Sequence, residues 1–119
     1  FYDLLIIWWS RFGHTRVTRA LPDGSADRVH LGLLPSSEEG WPIAVRLLRP
    51  RKGGWMHVHA NVIESSIPSW VERVVETVER LGGELGKEWG GVHCRHLEKV
   101  KSYAPRVWHV VADIECCEA

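Results

Sequence analysis

The stretch "ADRVHLGLLPSSEEGW" at residues 26–41 decides the fold that we predict for this chain. A strand-like apolar run ends here at a proline, and two serines and two glutamates follow it. Serine hydroxyls accept hydrogen bonds from the first amides of a helix, and glutamates suit its positive end. In open α/β sheets, ligands bind beyond the carboxyl ends of strands, which is where this junction lies. The spacing alone favours a plain capped turn over a ligand site.

The segments around this junction alternate between strand and helix patterns. We predict strands at residues 1–9, 27–34, 55–62, 92–104 and 107–116, one helix between Ser37 and Pro50, and another from Pro68 to Leu81. Gly82 and Gly83 are expected to end the second helix. The order predicts parallel strands with right-handed crossover helices and a terminal antiparallel hairpin. This α/β arrangement resembles the C-terminal half of the Rossmann-like class I methyltransferase fold.

Composition limits the class of protein and of partner. A chain of 119 residues with 45% apolar and 25% charged residues is one globular domain at most. Fifteen basic side chains balance fifteen acidic ones, so general attraction to polyanions is absent. Three cysteines, two of them adjacent, do not form a secreted disulfide framework, and we expect the reducing cytoplasm. The nine-residue apolar opening is shorter than the about 20 residues of a membrane span.

Polar side chains on the strand at residues 55–62 suggest a binding surface. His57, His59 and Asn61 share one face of that strand. Two histidines do not complete a zinc site, so we expect locally hydrogen-bonded histidines and no metal. The glycine-rich residues 82–91 follow a helix instead of opening one, which argues against phosphate binding there. No nucleophile elbow or buried carboxylate pair indicates a hydrolase.

Basic and aromatic side chains alternate in "KVKSYAPR" at residues 99–106. Lys99, Lys101, Tyr103 and Arg106 suit phosphates and a stacked base. A solvated hairpin with Pro105 in its turn explains the pattern equally well. Chemistry alone leaves both interpretations open.

Four strings together resemble one family. They are "ADRVHLGLLPSSEEGWPIAVRLLR", "GGWMHVHANV", "GKEW" and "HLEKVKSYAPRVWHVVADIECC". They are similar to the C-terminal half of the tRNA wybutosine-synthesizing protein 2 family, over residues 13–117. The resemblance implies S-adenosyl-L-methionine as donor of a 3-amino-3-carboxypropyl group. The implied acceptor is 4-demethylwyosine next to the anticodon of tRNA-Phe.

Two other functions remain as alternatives. The related tRNA guanine-N1-methyltransferases carry Asn-Leu-Pro after the same strand, whereas this chain has Gly32, and the missing amide favours the wybutosine branch. A non-catalytic α/β fragment that binds RNA or protein is the second alternative. We expect the fragment to be inactive alone, because the family's glycine-bearing donor motif and ribose-binding acid have no counterpart before residue 13.

The resemblance also assigns candidate residues, while catalytic residues stay unassigned. The implied cofactor contacts are Gly13, His14, Thr15, Arg16, Gly32 and Leu33. The implied substrate pocket consists of Leu34, Pro35, Ser36, His57, His59 and Asn61. The implied RNA contacts are Lys99, Lys101, Tyr103 and Arg106. His14 and Thr15 replace the family's Asp and Asn, and Ala60 replaces a glutamate. Residues 13–119 are expected to form the C-terminal half of a transferase domain that needs its N-terminal half as partner. Residues 1–12 lie outside the resemblance, and we interpret this segment as the result of a truncation or of a gene-model artefact.

Overall fold

The computed structural model of the chain describes residues 5–7, 22–32 and 36–119. The strands are β1 (Leu5–Ile7), β2 (Arg28–Leu31), β3 (Gly54–Ile63), β4 (Gly91–Ala104) and β5 (Val107–Cys117), and the helices are α1 (Trp41–Leu47) and α2 (Ile67–Glu84). Short 3-10 turns at Glu38–Gly40 and Glu64–Ser66 precede the two helices. Each predicted strand and helix is therefore present among the described residues. Residues 1–4, 8–9 and 33–34 of the first two predicted strands lie outside the described residues.

The five strands form one mixed sheet in the order β1-β2-β3-β5-β4. Strands β1, β2 and β3 are parallel, and β5 pairs antiparallel with both β3 and β4. The predicted parallel sheet with a terminal antiparallel hairpin is confirmed. Strands β2, β3 and β4 consequently end at the same edge of the sheet, beside Leu31, Ile63 and Ala104. We name this the carboxyl edge.

Alternating strand residues and helix stripes build the core, as their periodicity predicts. Met56, Val58, Ala60 and Val62 of β3 are buried, whereas the residues between them are half-buried. The predicted stripe of the first helix, Trp41, Ala44, Val45 and Leu48, is fully buried. In α2, Val74 and Val78 are buried, and Trp70 and Leu81 pack at the margin of the core. Both helices thus cover the same apolar layer.

The two serines before α1 have different roles. Ser36 Oγ accepts a hydrogen bond from the amide of Glu38 at 3.2 Å, at the start of the 3-10 turn. The predicted serine cap of the first helix is wrong, because the N-cap of α1 is Gly40 and no side chain makes a capping bond there. Ser37 is buried instead, where its hydroxyl donates to the carbonyl of His59 at 3.0 Å and accepts from Trp41 Nε1 at 3.3 Å. Ser37 therefore joins the helix to β3, and a 3-10 turn separates the serines from α1.

The predicted end of α2 at Gly82 and Gly83 is wrong, because the helix continues to Glu84. A Cβ on Gly82 would lie 2.8 Å from Cζ3 of Trp89, so this glycine makes room for an indole ring. The helix ends instead before Gly86, whose φ of +72° is the left-handed conformation of a helix C-cap. The amide of Lys87 then donates to the carbonyl of Gly82 at 2.8 Å.

The "GKEW" string after α2 donates hydrogen bonds to backbone carbonyls at the end of α1. Lys87 Nζ donates to the carbonyls of Arg46 at 3.1 Å and Leu48 at 2.6 Å. Trp89 Nε1 donates to the carbonyl of Arg49 at 2.7 Å. Burial lowers the pKa of Lys87, and its ammonium satisfies carbonyls that a helix end leaves without donors.

In the part of the chain that the structure describes, no helix is long and apolar enough to cross a membrane.

Candidate functional site

An open cleft of about 510 Å³ lies at the carboxyl edge. Three segments line it: the turn before α1, the end of β3 and the first two turns of α2. The polar and aromatic residues that line it include Ser36, Glu38, Asn61, Trp70 and Arg73. Ligands of open α/β sheets bind at this position, which makes the cleft the candidate site.

Two residues predicted for the substrate pocket, Ser36 and Asn61, meet in this cleft. Ser36 forms an isolated antiparallel bridge with Ala60, which fixes it beside the end of β3. Asn61 is the next residue of that strand. Its Oδ1 atom is buried and has no hydrogen-bond partner. Asn61 lies between Ala60 and Val62 on the strand, so its side chain is on the sheet face of His57 and His59, opposite the face on which α2 packs.

The other walls of the cleft were missed by sequence reasoning. Trp70 belongs to the predicted buried stripe of α2, yet it is half-buried and its side chain faces the cleft. Arg73 forms an ion pair with Glu38, and its guanidinium lies 5.8 Å from the ring of Trp41. The spacing of three residues between Trp70 and Arg73 places them on one helix face, and this was the available signal.

His57, another residue predicted for the substrate pocket, lies on the sheet, and both of its ring nitrogens have hydrogen-bond partners. Arg28 approaches its Nε2 at 3.1 Å, and Asp113 Oδ1 lies 2.7 Å from its Nδ1. Because a guanidinium can only donate, Nε2 accepts and Nδ1–H donates to Asp113. His57 also stacks on His30 at 4.4 Å between ring centroids. It is not among the described residues that line the cleft.

His59 is likewise held by its neighbours. Its Nδ1 lies 3.0 Å from Nε2 of His109 on β5. Burial, and then the proximity of His109, lower the pKa of His59. Burial, and then the proximity of His57, lower the pKa of His30. These rings therefore stay neutral at pH values where a free histidine begins to charge.

The predicted RNA-contact residues lie on the β4–β5 hairpin, near its turn at the carboxyl edge. Lys99 pairs with Glu64 at 3.1 Å and lies 5.3 Å from the ring of Trp108. Lys101, Tyr103 and Arg106 are exposed. The amide of Glu64 donates to the carbonyl of Arg106 at 2.8 Å, which joins the hairpin turn to the segment that lines the cleft.

Several predicted contacts lie outside the described residues, namely Gly13, His14, Thr15, Arg16, Leu33, Leu34 and Pro35. Gly32 is described and exposed, and a Cβ placed on it would meet no atom of the described residues within 4 Å. Those residues therefore leave space beside its backbone. Among residues 22–32 and 36–119, no group of three or more His, Cys, Asp or Glu side chains could hold a metal ion.

Burial suppresses the reactivity of two of the three cysteines. Cys94, Cys116 and Cys117 are all free thiols. Burial raises the pKa of Cys116 to about 12 and also raises the pKa of Cys94. Both therefore remain protonated near neutral pH, and thiolate chemistry at these two positions is disfavoured.

Known proteins are similar to this chain in sequence. No protein-family model matches the chain. It is 49% identical over 104 residues to tRNA wybutosine-synthesizing protein 2/3/4 of Arabidopsis thaliana, covering 87% of the chain and 10% of that protein. It is 41% identical over 121 residues to the tRNA wybutosine-synthesizing protein 2 homolog of Danio rerio, covering 76% of the chain and 29% of that protein. The chain is homologous to part of tRNA wybutosine-synthesizing protein 2.

Solved structures of wybutosine-synthesizing protein 2 share its fold. P. horikoshii TYW2 in complex with MeSAdo is 30% identical with a TM-score of 0.64, covering 89% of the chain and 38% of that structure. M. jannaschii TYW2 in complex with AdoMet is 27% identical with a TM-score of 0.61, covering 86% and 43%. Trm5b from Pyrococcus abyssi, at 21% identity and a TM-score of 0.60, has the same fold over 78% of the chain and 26% of that structure. The predicted class, the C-terminal half of a Rossmann-like class I methyltransferase fold, is confirmed.

Proposed function

We propose that the chain forms the acceptor side of a tRNA-modifying transferase site. The reaction is transfer of the 3-amino-3-carboxypropyl group from S-adenosyl-L-methionine to 4-demethylwyosine next to the anticodon of tRNA-Phe. The observation that carries this proposal is the cleft at the carboxyl edge, whose lining segment is joined to the hairpin turn by the hydrogen bond from the Glu64 amide to the Arg106 carbonyl. The similarity to wybutosine-synthesizing protein 2 supports the choice of reaction.

The donor is proposed to approach the backbone beside Gly32. The open space at this glycine fits a bound group, and P. horikoshii TYW2 was crystallised with MeSAdo. Gly13, His14, Thr15, Arg16 and Leu33 are the other proposed donor contacts. S-adenosyl-L-methionine supplies an activated sulfonium, and the group moved is the one whose carbon the site holds in line with the acceptor.

The acceptor base is proposed to enter the cleft between Ser36 and Trp70. Leu34 and Pro35 complete the proposed pocket on the side of β2. His57 and His59 stay proposed substrate contacts on the sheet, outside the described lining of the cleft, and their hydrogen bonds to neighbours hold them in fixed orientations. These side chains orient the base and exclude water, and the proposal assigns no general acid or base.

We assign RNA contacts to Lys99, Lys101, Tyr103 and Arg106 on the hairpin. Because the chain has a net charge of zero, phosphate contacts must come from such a local group. The triple variant K99E/K101E/R106E should weaken tRNA binding and reduce the slope of log affinity against log salt by about 2 to 3.

The control for that variant carries the same charge change at the opposite edge of the sheet. Arg51 and Lys52 precede β3, and Arg80 lies near the end of α2. The variant R51E/K52E/R80E therefore changes the net charge by the same amount as the hairpin variant, but away from the hairpin. Equal loss of affinity in both triple variants would contradict the hairpin assignment.

Methyl transfer and a non-catalytic role are the alternatives, and one chimera separates them. Residues 26–119 replace the matching segment of the Arabidopsis protein, and the chimera is assayed with donor labelled in either the carboxyl or the methyl carbon. Carboxyl label on tRNA and no methyl label is the expected result. Methyl label would favour the guanine-N1-methyltransferase alternative. A folded chimera that binds tRNA and transfers neither label would favour the non-catalytic one.

The chain spans between about a tenth and a third of its curated relatives. We therefore propose residues 13–119 as the C-terminal half of a transferase domain, completed by an N-terminal half that supplies further donor contacts. Three free cysteines fit a reducing compartment, and we propose the cytoplasm.

A further inference from the structure

One ion pair bridges the rim of the cleft. Arg73, in the second turn of α2, pairs with Glu38, in the 3-10 turn before α1. About half of each side chain is exposed to solvent, which places the pair at the rim of the cleft and not at its floor. Among the described residues that line the cleft, Arg73 is the one cation and Glu38 the one anion. Those residues therefore carry no net charge while the two side chains are paired.

Arg73 has a second support that does not depend on Glu38. Its guanidinium carbon lies 5.8 Å from the centre of the Trp41 ring, and Trp41 is buried. The indole is held in turn by the hydrogen bond from its Nε1 to Ser37 Oγ at 3.3 Å. An aromatic face attracts a cation that lies over it. The guanidinium can therefore stay over Trp41 while it exchanges one anionic partner for another.

The ion pair leaves Arg73 able to make this exchange. Pairs between half-exposed side chains are weak, because water screens their charges. A guanidinium carries five N–H donors, and the contact with Glu38 uses those of one nitrogen, Nη2. An incoming oxyanion can bind the remaining donors, and its negative charge repels the carboxylate of Glu38.

The position of Arg73 indicates which oxyanion binds. Trp70 lies one turn earlier on the same helix face and lines the cleft proposed for the acceptor base. A nucleotide whose base is seated against Trp70 keeps its backbone phosphate at the solvent-exposed rim, and arginine binds phosphate through paired N–H groups. We propose that a backbone phosphate of the RNA displaces Glu38 and binds Arg73. Arg73 is then an RNA contact of the cleft, separate from the hairpin, and this inference rests on the proposed function.

Substitutions of Arg73 test the phosphate contact. R73Q removes the charge and R73K retains it, and R80Q is the control, since Arg80 forms a similarly exposed pair with Glu84 on the same helix. We expect R73Q to weaken binding of tRNA-Phe about threefold to tenfold. It should also lower the slope of log affinity against log salt by about 1, the share of one phosphate. R73K and R80Q should keep the wild-type slope, and a wild-type slope in R73Q would overturn the inference.

Substitution of Glu38 tests the exchange. E38Q removes the partner that the RNA displaces, so affinity for tRNA-Phe should rise about twofold to fivefold, the strength of an exposed ion pair. The same substitution in the R73Q background should have no such effect, because no guanidinium is left to release. An equal gain in both backgrounds would show that Glu38 only repels the RNA. Weaker binding by E38Q would show that Glu38 orients Arg73, and either result contradicts the exchange.

Donor binding separates RNA phosphate from the other oxyanion of the proposed reaction, the carboxylate of S-adenosyl-L-methionine. If R73Q weakens binding of S-adenosyl-L-methionine and leaves binding of tRNA-Phe unchanged, the donor is the partner of Arg73 and the phosphate assignment is wrong. The proposed function fails separately: a wild-type chain that does not bind tRNA-Phe at low salt contradicts it before any variants are compared. Wild-type binding with the same salt slope in R73Q contradicts only the inference.

Discussion

Lys87 shows at the scale of one residue what the sequence could and could not reveal. The "GKEW" string is part of the family resemblance, yet its charge suggests an exposed side chain. The structure directs the ammonium onto the carbonyls of Arg46 and Leu48. This contact joins segments 39 to 41 residues apart, and no local pattern encodes it.

Replacing Lys87 with methionine should destabilise the fold. Met keeps the length of the side chain and removes the donor, so the Leu48 carbonyl is left without this partner. We expect the free energy of unfolding to fall by about 1–3 kcal/mol in denaturant titrations. K52M at an exposed turn is the control, with an expected change of at most about 0.5 kcal/mol. Equal stability of K87M and K52M would contradict the capping role of Lys87.

Asn61 and Arg106 each have a property that the sequence does not predict. Asn61 was predicted for the pocket from the resemblance, and the unpaired state of its oxygen became visible only in three dimensions. Arg106 adopts a φ of +62° in the hairpin turn, a conformation that its sequence neighbours do not predict.

At the scale of elements, periodicity predicted which faces are buried but misplaced one helix end. The alternating pattern of β3 and the apolar stripes of both helices were predictable because they repeat with the strand or helix period. The end of α2 was not predictable in this way, because Gly82 makes room for the ring of Trp89 and does not end the helix. A glycine pair has the same appearance in sequence whether it ends a helix or admits a neighbour.

The two glycines of α2 should respond oppositely to alanine. G82A places a Cβ 2.8 Å from Cζ3 of Trp89, which is anchored by its hydrogen bond to Arg49, so unfolding should become easier by about 1–3 kcal/mol. Gly83 has no atom within 4 Å of an added Cβ, so G83A should stabilise the helix by about 0.5–1 kcal/mol. Thermal melts of both variants measure the difference. Stabilisation by both substitutions would refute the packing role of Gly82.

At the scale of the whole molecule, the strand order was predictable and the composition of the cleft was not. Short connections and crossover rules predict the parallel strands and the terminal hairpin. The cleft instead combines the turn before α1, the end of β3 and the start of α2, whose approach depends on tertiary packing. Ser36 and Asn61 were predicted from resemblance, whereas Trp70 and Arg73 had no signal beyond their shared helix face.

The histidines on the sheet should make stability depend on pH. Burial lowers the pKa of His30 and His59, which face His57, His109, Arg28 and Asp113. The unfolded chain therefore binds more protons than the folded one below the ordinary histidine pKa of 6.5, so stability falls as pH drops through and below that value.

Melting temperatures at about pH 7.5 and about pH 5.5 test this dependence. H59Q removes one titrating ring and should reduce the difference in melting temperature between the two conditions. H93Q, at an exposed position on β4, should leave that difference unchanged. An H59Q difference equal to that of wild type would show that His59 does not contribute.

The central claim is that RNA binds across the carboxyl edge, over the cleft and the hairpin together. Hydroxyl-radical labelling of side chains with and without tRNA-Phe tests it most directly. Trp70 in the cleft and Tyr103 on the hairpin should be oxidised more slowly when tRNA is bound. Trp89, packed at the opposite end of α2, should react at the same rate in both samples. Protection of Trp89 with Trp70 and Tyr103 unaffected would contradict the account.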